Sequence, residues 1–370
     1  MSYPANFCGS YLTNDVTFLL KQIEIETVDV LQRERLMQEQ GIHYSQLLPQ
    51  EYLPSVRYKT AFYTSVRLNK PRLAQHIASL ANQLNQRERL TLVSLARAGT
   101  PIGVLLRRTL RERFNRDVPH YSISIIRDRG VDENALRYIL TQHEPSGADI
   151  VFIDGWTGKG IINQELRKSV AVFNQKEKCH ISSDMYVVAD LCGQATVAAT
   201  SEDYLIPNAL LNSTINGLVS RTVLNASYLD AHDFHGCRFY REFQAEDLSL
   251  WYIDEIMAEI RQVTNIAPCA TIDRVARQIR TTRFIEQLAT EYQTSYLKIK
   301  PGLGEAIRVL LRRMSQVLLV QNKNSPDIEP FLTIAAEKNV PIKERKEMPY
   351  QATCIVAIVP KARGRNKTSQ

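Results

Sequence analysis

Short apolar runs alternate with stretches of helical periodicity along most of this chain. Residues 150–153 form an uninterrupted apolar run after Gly147, which is typical of a strand buried inside a parallel sheet. Ile162, Leu166 and Val170 follow at a spacing of four residues, which places them on one face of a helix. This order of strand, loop and helix predicts an α/β fold in which helices cover both faces of a parallel sheet.

The same pattern recurs on both sides of this unit. Strands are predicted from apolar runs or from alternation of apolar and polar residues. Helices are predicted from an apolar face, and several of the helices have capping residues at their ends. The predicted strands cover residues 90–95, 121–126, 150–153 and 185–189, and the predicted helices cover residues 28–40, 71–84, 101–113 and 132–142.

Charge divides the chain near its C-terminal fifth. From Ser295 to Gln370 there are 14 Lys and Arg against 6 Asp and Glu, whereas the remainder holds 32 against 33. Strands and helices alternate closely there, which predicts a second, compact α/β module, and its positive charge favours a polyanionic partner such as nucleic acid. The predicted parts are an N-terminal extension packed on the core (1–85), a core domain (86–292), the C-terminal module (293–360) and a basic tail (361–370).

Composition restricts the possible cellular compartment and the possible class of protein. With 44% hydrophobic and 23% charged residues the chain has the balance of a globular protein, and no apolar run reaches the length of a membrane span. The first residues lack the basic and apolar regions of a signal peptide. Six cysteines without paired spacing argue against a disulfide framework or a zinc ribbon. We therefore expect a cytoplasmic protein without a membrane partner.

An acid and a glycine-rich turn follow the apolar run at 150–153. Asp154 comes directly after the run, and three glycines fall within residues 155–160. Glycines allow successive backbone N–H groups and a helix N-terminus to point at an anion, and Thr157 and Lys159 add a hydroxyl and a cation. The spacing does not fit a Walker-type loop. The alternative is a tight turn between a strand and a helix.

A second loop of small residues follows the strand at 90–95. Residues 96–99 carry one arginine, Arg97, which can bind two oxygens at once, although a surface arginine at a helix entry is the alternative. Arg127 and Arg129 lie in a third loop and could close over a polyphosphate or belong to a solvated turn.

Small polar residues near two further apolar segments are candidates for a pocket wall. Asp190 ends the strand at 185–189, where sheet-based sites collect ligands, but it could equally cap a helix or form buried hydrogen bonds. Ser220 and Arg221 close the apolar stretch at 210–222.

Two of these loops resemble those of known enzymes. Residues 154–160 resemble the PRPP-binding loop of type I phosphoribosyltransferases, and residues 95–99 resemble the pyrophosphate loop of uracil phosphoribosyltransferases. The resemblance implies a type I phosphoribosyltransferase-like sheet, PRPP as substrate and Mg²⁺ as cofactor, with Asp154 and Arg97 as catalytic residues and Asp154 facing the metal. It further implies a 5-phosphate site at Trp156, Thr157, Gly158, Lys159 and Gly160, a pyrophosphate site at Ala98, Gly99, Arg127 and Arg129, and an acceptor pocket at Asp190, Ser220 and Arg221.

The C-terminal module resembles the pelota and L7Ae type of RNA-binding domain. In that family a Gly-x-Asn-Glu motif precedes a basic helix, and here Gly302, Gly304 and Glu305 occupy the corresponding positions, with Gly in place of Asn. The resemblance implies RNA binding by Lys300, Glu305, Arg308 and Arg312. A degenerate, protein-binding version of the domain is the alternative.

The order of these parts is similar to that in the StiP-type proteins, which are encoded alongside tellurite-resistance and stress operons. Members of that family are often labelled cysteine proteases, a chemistry that needs a thiolate activated by a histidine. Cys8, Cys192 and Cys237 are the possible nucleophiles; none lies in a recognisable protease context, and Cys192, beside Asp190, is the least implausible of the three. We therefore expect a phosphoribosyltransferase of unknown acceptor with an attached RNA-binding module. The alternatives are a cysteine protease and a non-catalytic, phosphate-sensing RNA-binding adaptor.

Overall fold

The computed structural model describes residues 7–143 and 146–357. The strands are β1 (Thr17–Leu19), β2 (Lys21–Gln22), β3 (Thr27–Val28), β4 (Leu48–Pro49), β5 (Thr91–Leu95), β6 (His120–Ile123), β7 (Ile125–Ile126), β8 (Gly130–Val131), β9 (Ile150–Thr157), β10 (Met185–Asp190), β11 (Val197–Thr200), β12 (Gly236–Cys237), β13 (Ile299–Pro301), β14 (Ser315–Val320), β15 (Ile342–Glu344) and β16 (Ala352–Val356). The helices are α1 (Val30–Glu39), α2 (Val56–Asn85), α3 (Thr100–Phe114), α4 (Glu133–Gln142), α5 (Ile161–Glu177), α6 (Ser249–Gln262), α7 (Arg274–Glu291), α8 (Leu303–Arg312) and α9 (Glu329–Glu337).

A six-stranded parallel sheet organises the core, in the order β1-β6-β5-β9-β10-β11. Successive side chains of a strand point to opposite faces. On β9, Val151 and Ile153 join the cluster formed with α2, α3 and α6, whereas Ile150 and Phe152 join the cluster formed with α4 and α5. The predicted α/β fold with helices on both faces of a parallel sheet is confirmed.

The C-terminal part is a small α/β domain, as predicted. Its four-stranded sheet has the order β13-β16-β14-β15, in which β16 runs antiparallel to both of its neighbours and β14 pairs with β15 in parallel. Trp156 at the end of β9 and Leu303 at the start of α8 belong to one apolar cluster, so the hydrophobic core is continuous between the two domains.

The N-terminal segment is more integrated and more helical than predicted. Its strand β1 pairs with β6 and so completes one edge of the main sheet. Helix α2 runs through Pro71, where the sequence pattern predicts only the start of a helix. Phe62 and Val66 before the proline are buried like Leu73 after it, and this burial outweighs the hydrogen bond that proline removes.

Two further predictions concern a membrane-spanning segment and the basic tail. Within the described ranges, no helix combines the length and the apolar character needed to cross a membrane. The predicted basic tail at 361–370 lies outside the described residues.

Candidate functional site

The two predicted loops lie side by side at one edge of the sheet. Strands β5 and β9 are parallel neighbours, so the segments that follow them emerge together. A Cβ built on Gly155 would lie 3.9 Å from the Ala98 carbonyl oxygen, and one on Gly99 would collide with the Ile153 carbonyl. Glycine at position 99 is therefore required for the close approach of the two segments.

The loop at 156–160 is covered by the C-terminal domain. The Trp156 indole fills the space in which a side chain at Gly304 would lie, and a Cβ on Gly158 would lie 3.1 Å from Glu305 Cγ. Lys159 donates a hydrogen bond to the Tyr296 carbonyl. The turn therefore packs partly against the C-terminal domain, and its five residues at 156–160 also line the larger cavity described below.

Asp190 and Ser220 have structural roles. Asp190 is fully buried and accepts hydrogen bonds from the Thr157 hydroxyl and from the backbone N–H groups of Gln194 and Ala195, at 3.1 and 2.9 Å from the latter two. The Ser220 hydroxyl donates to the Arg221 carbonyl and accepts from the Arg238 N–H. Neither of the two side chains lines the cavity described below.

Arg97 is committed to a buried ion pair. Its Nη1 lies 2.7 Å from Glu51 Oε1 and 2.9 Å from the Val219 carbonyl, and the residue is 5% exposed. Of the two arginines in the third loop, Arg127 lies beside Tyr44, whereas Arg129 lies on a separate open groove. Of the four residues predicted to hold pyrophosphate, Ala98 and Arg127 thus line the larger cavity described below, whereas Arg129 lies apart from it.

Asp154 does not have the surroundings of a magnesium ligand. Its carboxylate accepts a hydrogen bond from the Gly155 N–H at 2.8 Å, and burial raises its pKa to about 7. Among the described residues there is no group of three or more His, Cys, Asp and Glu that could hold a metal ion. The Mg²⁺ implied by the resemblance stays a prediction.

A cavity of about 350 Å³ lies between the core and the C-terminal domain, and a second of about 290 Å³ adjoins it. Helix α1, the ends of β5 and β9, strand β13 and helix α8 enclose them. We call the pair the junction pocket. Its charged and aromatic lining comprises Arg33, Tyr44, Arg97, Arg127, Asp154, Trp156, Lys159, Arg221, Lys300, Glu305, Arg308, Arg312 and Arg313.

Positive charge in the junction pocket exceeds negative charge. The lining of the larger cavity contains seven Lys and Arg side chains but only two carboxylates, Asp154 and Glu305. Burial, reinforced by the neighbouring Arg313 and Arg127, lowers the pKa of Lys300. Burial lowers the pKa of Lys159 to about 6. Cations crowded together in this way are stabilised by a bound anion.

The four residues that the resemblance assigns to RNA face the core domain and line this pocket. Lys300 and Glu305 border both cavities, and Arg308 lies with its guanidinium 5.9 Å from the Trp156 ring. Arg312 donates to Asn212 and borders the smaller cavity. They lie between the two domains and do not form an outer surface of the C-terminal domain.

Sequence reasoning missed the part of the site contributed by the N-terminal extension. Arg33 on α1 and Tyr44 in the following turn form one wall, and Arg313 lies close to them. The one available signal was a pair of arginines on an otherwise amphipathic helix, which is common on solvated surfaces. Only the tertiary fold turns Arg33 inward, to 8% exposure, while Arg35 stays exposed.

The cysteines show no protease-like dyad. Burial raises the pKa of Cys192 to about 12, and its Sγ lies 3.3 Å from the Thr157 hydroxyl. Burial also raises the pKa of Cys237, whereas Cys8 is partly exposed. Within residues 7–143 and 146–357, no hydrogen bond joins a cysteine sulfur to a histidine ring.

Comparison with known proteins identifies both parts of the chain. Residues 9–257 match the family described as tellurite-like stress resistance cysteine protease StiP, and residues 279–358 match the pelota RNA-binding domain. A protein of Acinetobacter baylyi named cysteine protease StiP is 36% identical over 366 residues, which cover 95% of this chain and 94% of the relative.

These matches overturn the prediction of phosphoribosyl transfer. Both the family and the relative are described as cysteine proteases, so the predicted transferase activity, with PRPP as substrate, is wrong. The alternative that names a cysteine protease fits the comparisons better. The ion-paired Arg97 gives one physical reason, because the guanidinium expected to be catalytic is engaged with Glu51. The predicted similarity to the StiP family and to the pelota domain is confirmed.

Proposed function

The chain belongs to the StiP family and carries a pelota-type domain, and from this premise we propose that it binds RNA, with phosphate groups of the RNA entering the junction pocket. The observation that carries the proposal is the excess of positive charge in the lining of this pocket, contributed by both domains. Phosphate is the anion that Arg and Lys bind most effectively in nucleic-acid sites. Tyr44 adds an aromatic ring beside these cations, and aromatic rings next to cations are common in sites that bind single-stranded nucleic acid.

The dimensions of the pocket favour single-stranded RNA. Its two cavities, of about 350 and 290 Å³, are at the lower end of the range of ligand pockets. An RNA duplex cannot enter such a space, whereas the unstacked nucleotides of a loop or an end can.

We propose a cytoplasmic location as well, which is supported by six cysteines that are all unpaired.

The test compares two cationic positions of the same domain. Lys300 borders the junction pocket, whereas Lys323 is exposed on the outer side of the turn after β14. With a fluorescent single-stranded RNA at fixed salt, Lys300→Met should weaken binding by about tenfold or more, and Lys323→Met by about twofold or less. Equal effects of the two substitutions, or none for Lys300→Met, would place RNA binding elsewhere or reject it.

A second candidate is cysteine protease activity, favoured by the description of the family and of the relative. A nucleophilic thiolate must be accessible and readily ionised. Of the six cysteines, Cys8 and Cys269 are partly exposed, and burial raises the pKa of Cys269 to about 11. Cys8 is therefore the better candidate for the nucleophile.

The protease candidate is tested with a labelled protein substrate. Cys8→Ser should abolish thiol-dependent cleavage, and Cys192→Ser should leave it intact because that sulfur is buried. Cleavage that survives Cys8→Ser and iodoacetamide would rule out Cys8, and the absence of cleavage by the intact chain would leave RNA binding as the sole candidate.

A further inference from the structure

Three cationic groups in the junction pocket lack a matching anion. Arg33 is 8% exposed, and its Nε has no hydrogen-bond partner. The Nε of Arg221 is also buried without a partner. The Lys300 ammonium makes no hydrogen bond or ion pair within the described part of the chain. Buried donors are normally paired, so the two arginine nitrogens indicate a ligand, and the half-buried Lys300 lines the same pocket.

The carboxylates nearby are already used. Glu34 accepts from Arg313 twice, at 2.9 Å each, and Glu305 lies 3.4 Å from Arg308. Asp154 is close to half protonated at neutral pH, because burial raises its pKa to about 7. Glu305 also raises the pKa of Lys300, so one carboxylate is shared among several cations and the lining keeps an excess of positive charge.

The number of uncompensated cations selects among the phosphates of an RNA chain. A phosphodiester inside a strand carries one negative charge. A terminal phosphate monoester carries about 1.5 to 2 at neutral pH, and it has three oxygens free to accept hydrogen bonds. The monoester therefore matches three cationic groups from different segments better than a diester does.

We propose that the junction pocket recognises the terminal phosphate of single-stranded RNA, with Arg33, Arg221 and Lys300 around the phosphate. This rests on the proposed function and adds the part of the RNA that is recognised. The ends of β5 and β9 form the core side of the pocket.

The experiment uses the full chain and one RNA of about twelve nucleotides in three forms: with hydroxyl groups at both ends, with a 5′-phosphate, and with a 3′-phosphate. One phosphorylated form should bind about tenfold more tightly than the hydroxyl form. In Arg33→Met and Lys300→Met this ratio should fall to about one, whereas in Arg35→Met, on the exposed face of the same helix, it should persist. Melting temperatures identify any variant that fails to fold.

The outcomes separate this inference from the proposed function. Equal binding of all three RNAs, still weakened by Lys300→Met, would overturn recognition of the end but leave RNA binding in the pocket. No RNA binding at all would overturn both. Adenosine 5′-monophosphate should compete weakly and adenosine not at all. Tighter binding of the free nucleotide than of any RNA would show that the pocket takes a small molecule, and would also overturn the inference.

Discussion

At the scale of single residues, the molecule keeps ionisable groups buried with too few partners. Half-buried Lys300 is one case, since burial and the adjacent arginines lower its pKa although Glu305 acts in the opposite direction. Desolvating an ion without a counter-ion costs folding free energy, and such costs are concentrated at functional sites. The resemblance to the pelota and L7Ae domain made Lys300 a candidate for RNA binding. The sequence could not show that its neighbours in space would be mainly cations from other segments.

The first prediction is that Lys300→Met does not destabilise the protein. The substitution removes an unpaired charge and keeps an apolar stem of similar length, so the free energy of unfolding should stay unchanged or rise by up to about 1 kcal/mol. Chemical denaturation measures it. A loss of about 2 kcal/mol or more would show that the ammonium has a stabilising partner, contrary to our account.

The second prediction concerns Asp154 and pH. Burial raises its pKa to about 7, so the carboxyl is mostly neutral at pH 6 and mostly charged at pH 8. The charged form repels a bound phosphate. Asp154→Asn should therefore bind RNA about threefold or more tightly than the unchanged protein at pH 8 and about equally at pH 6. The comparison at each pH cancels titration of the RNA, and a ratio independent of pH would contradict the assignment.

At the scale of elements, the sequence predicted the strands and helices well and their contacts poorly. Apolar runs and helical spacing located β5, β9, β10 and α5, because burial in a sheet imposes those patterns. However, β9 extends to Thr157, past the acid predicted to start the turn. Trp156 is thereby held at the end of the strand and packs against α8, and no local pattern reports a contact between residues so distant in sequence.

Gly304 at the start of α8 gives the third prediction. Gly304 occupies the position of Asn in the Gly-x-Asn-Glu motif. The structure explains the glycine, because a side chain at this position would overlap the Trp156 indole. Gly304→Ala should lower the free energy of unfolding by about 1–3 kcal/mol through overpacking. When Trp156 is already replaced by Ala, the added substitution Gly304→Ala should lower the free energy of unfolding by less than it does in the unchanged protein. Additive effects of the two substitutions would contradict the contact.

At the scale of the whole molecule, the two domains are joined by a continuous apolar core and by Asp203. This carboxylate accepts hydrogen bonds from the Leu303 N–H at 2.9 Å and from the Gln351 N–H at 2.8 Å, and so connects the core to two elements of the C-terminal domain. The sequence predicted both domains from their charge and periodicity. It could not predict their docking, which buries the residues of both domains that carry the proposed function.

The fourth prediction follows from the pKa of Asp203, which burial raises from 3.8 to about 7. Between these values the folded protein binds more protons than the unfolded chain, so stability falls as pH rises through this range. The melting temperature should therefore decrease from pH 5.5 to 7.5, and Asp203→Asn should reduce that decrease. An unchanged slope in the variant would show that Asp203 does not titrate in this range.

The central claim is that RNA lies in the junction pocket, between the two domains, and it is tested most directly by ultraviolet cross-linking of bound RNA followed by mass spectrometry of the protein. The account predicts cross-linked peptides that contain Tyr44, Trp156 or Lys300. Cross-links confined to the outer side of the C-terminal domain, around Lys323 and Lys346, would contradict it.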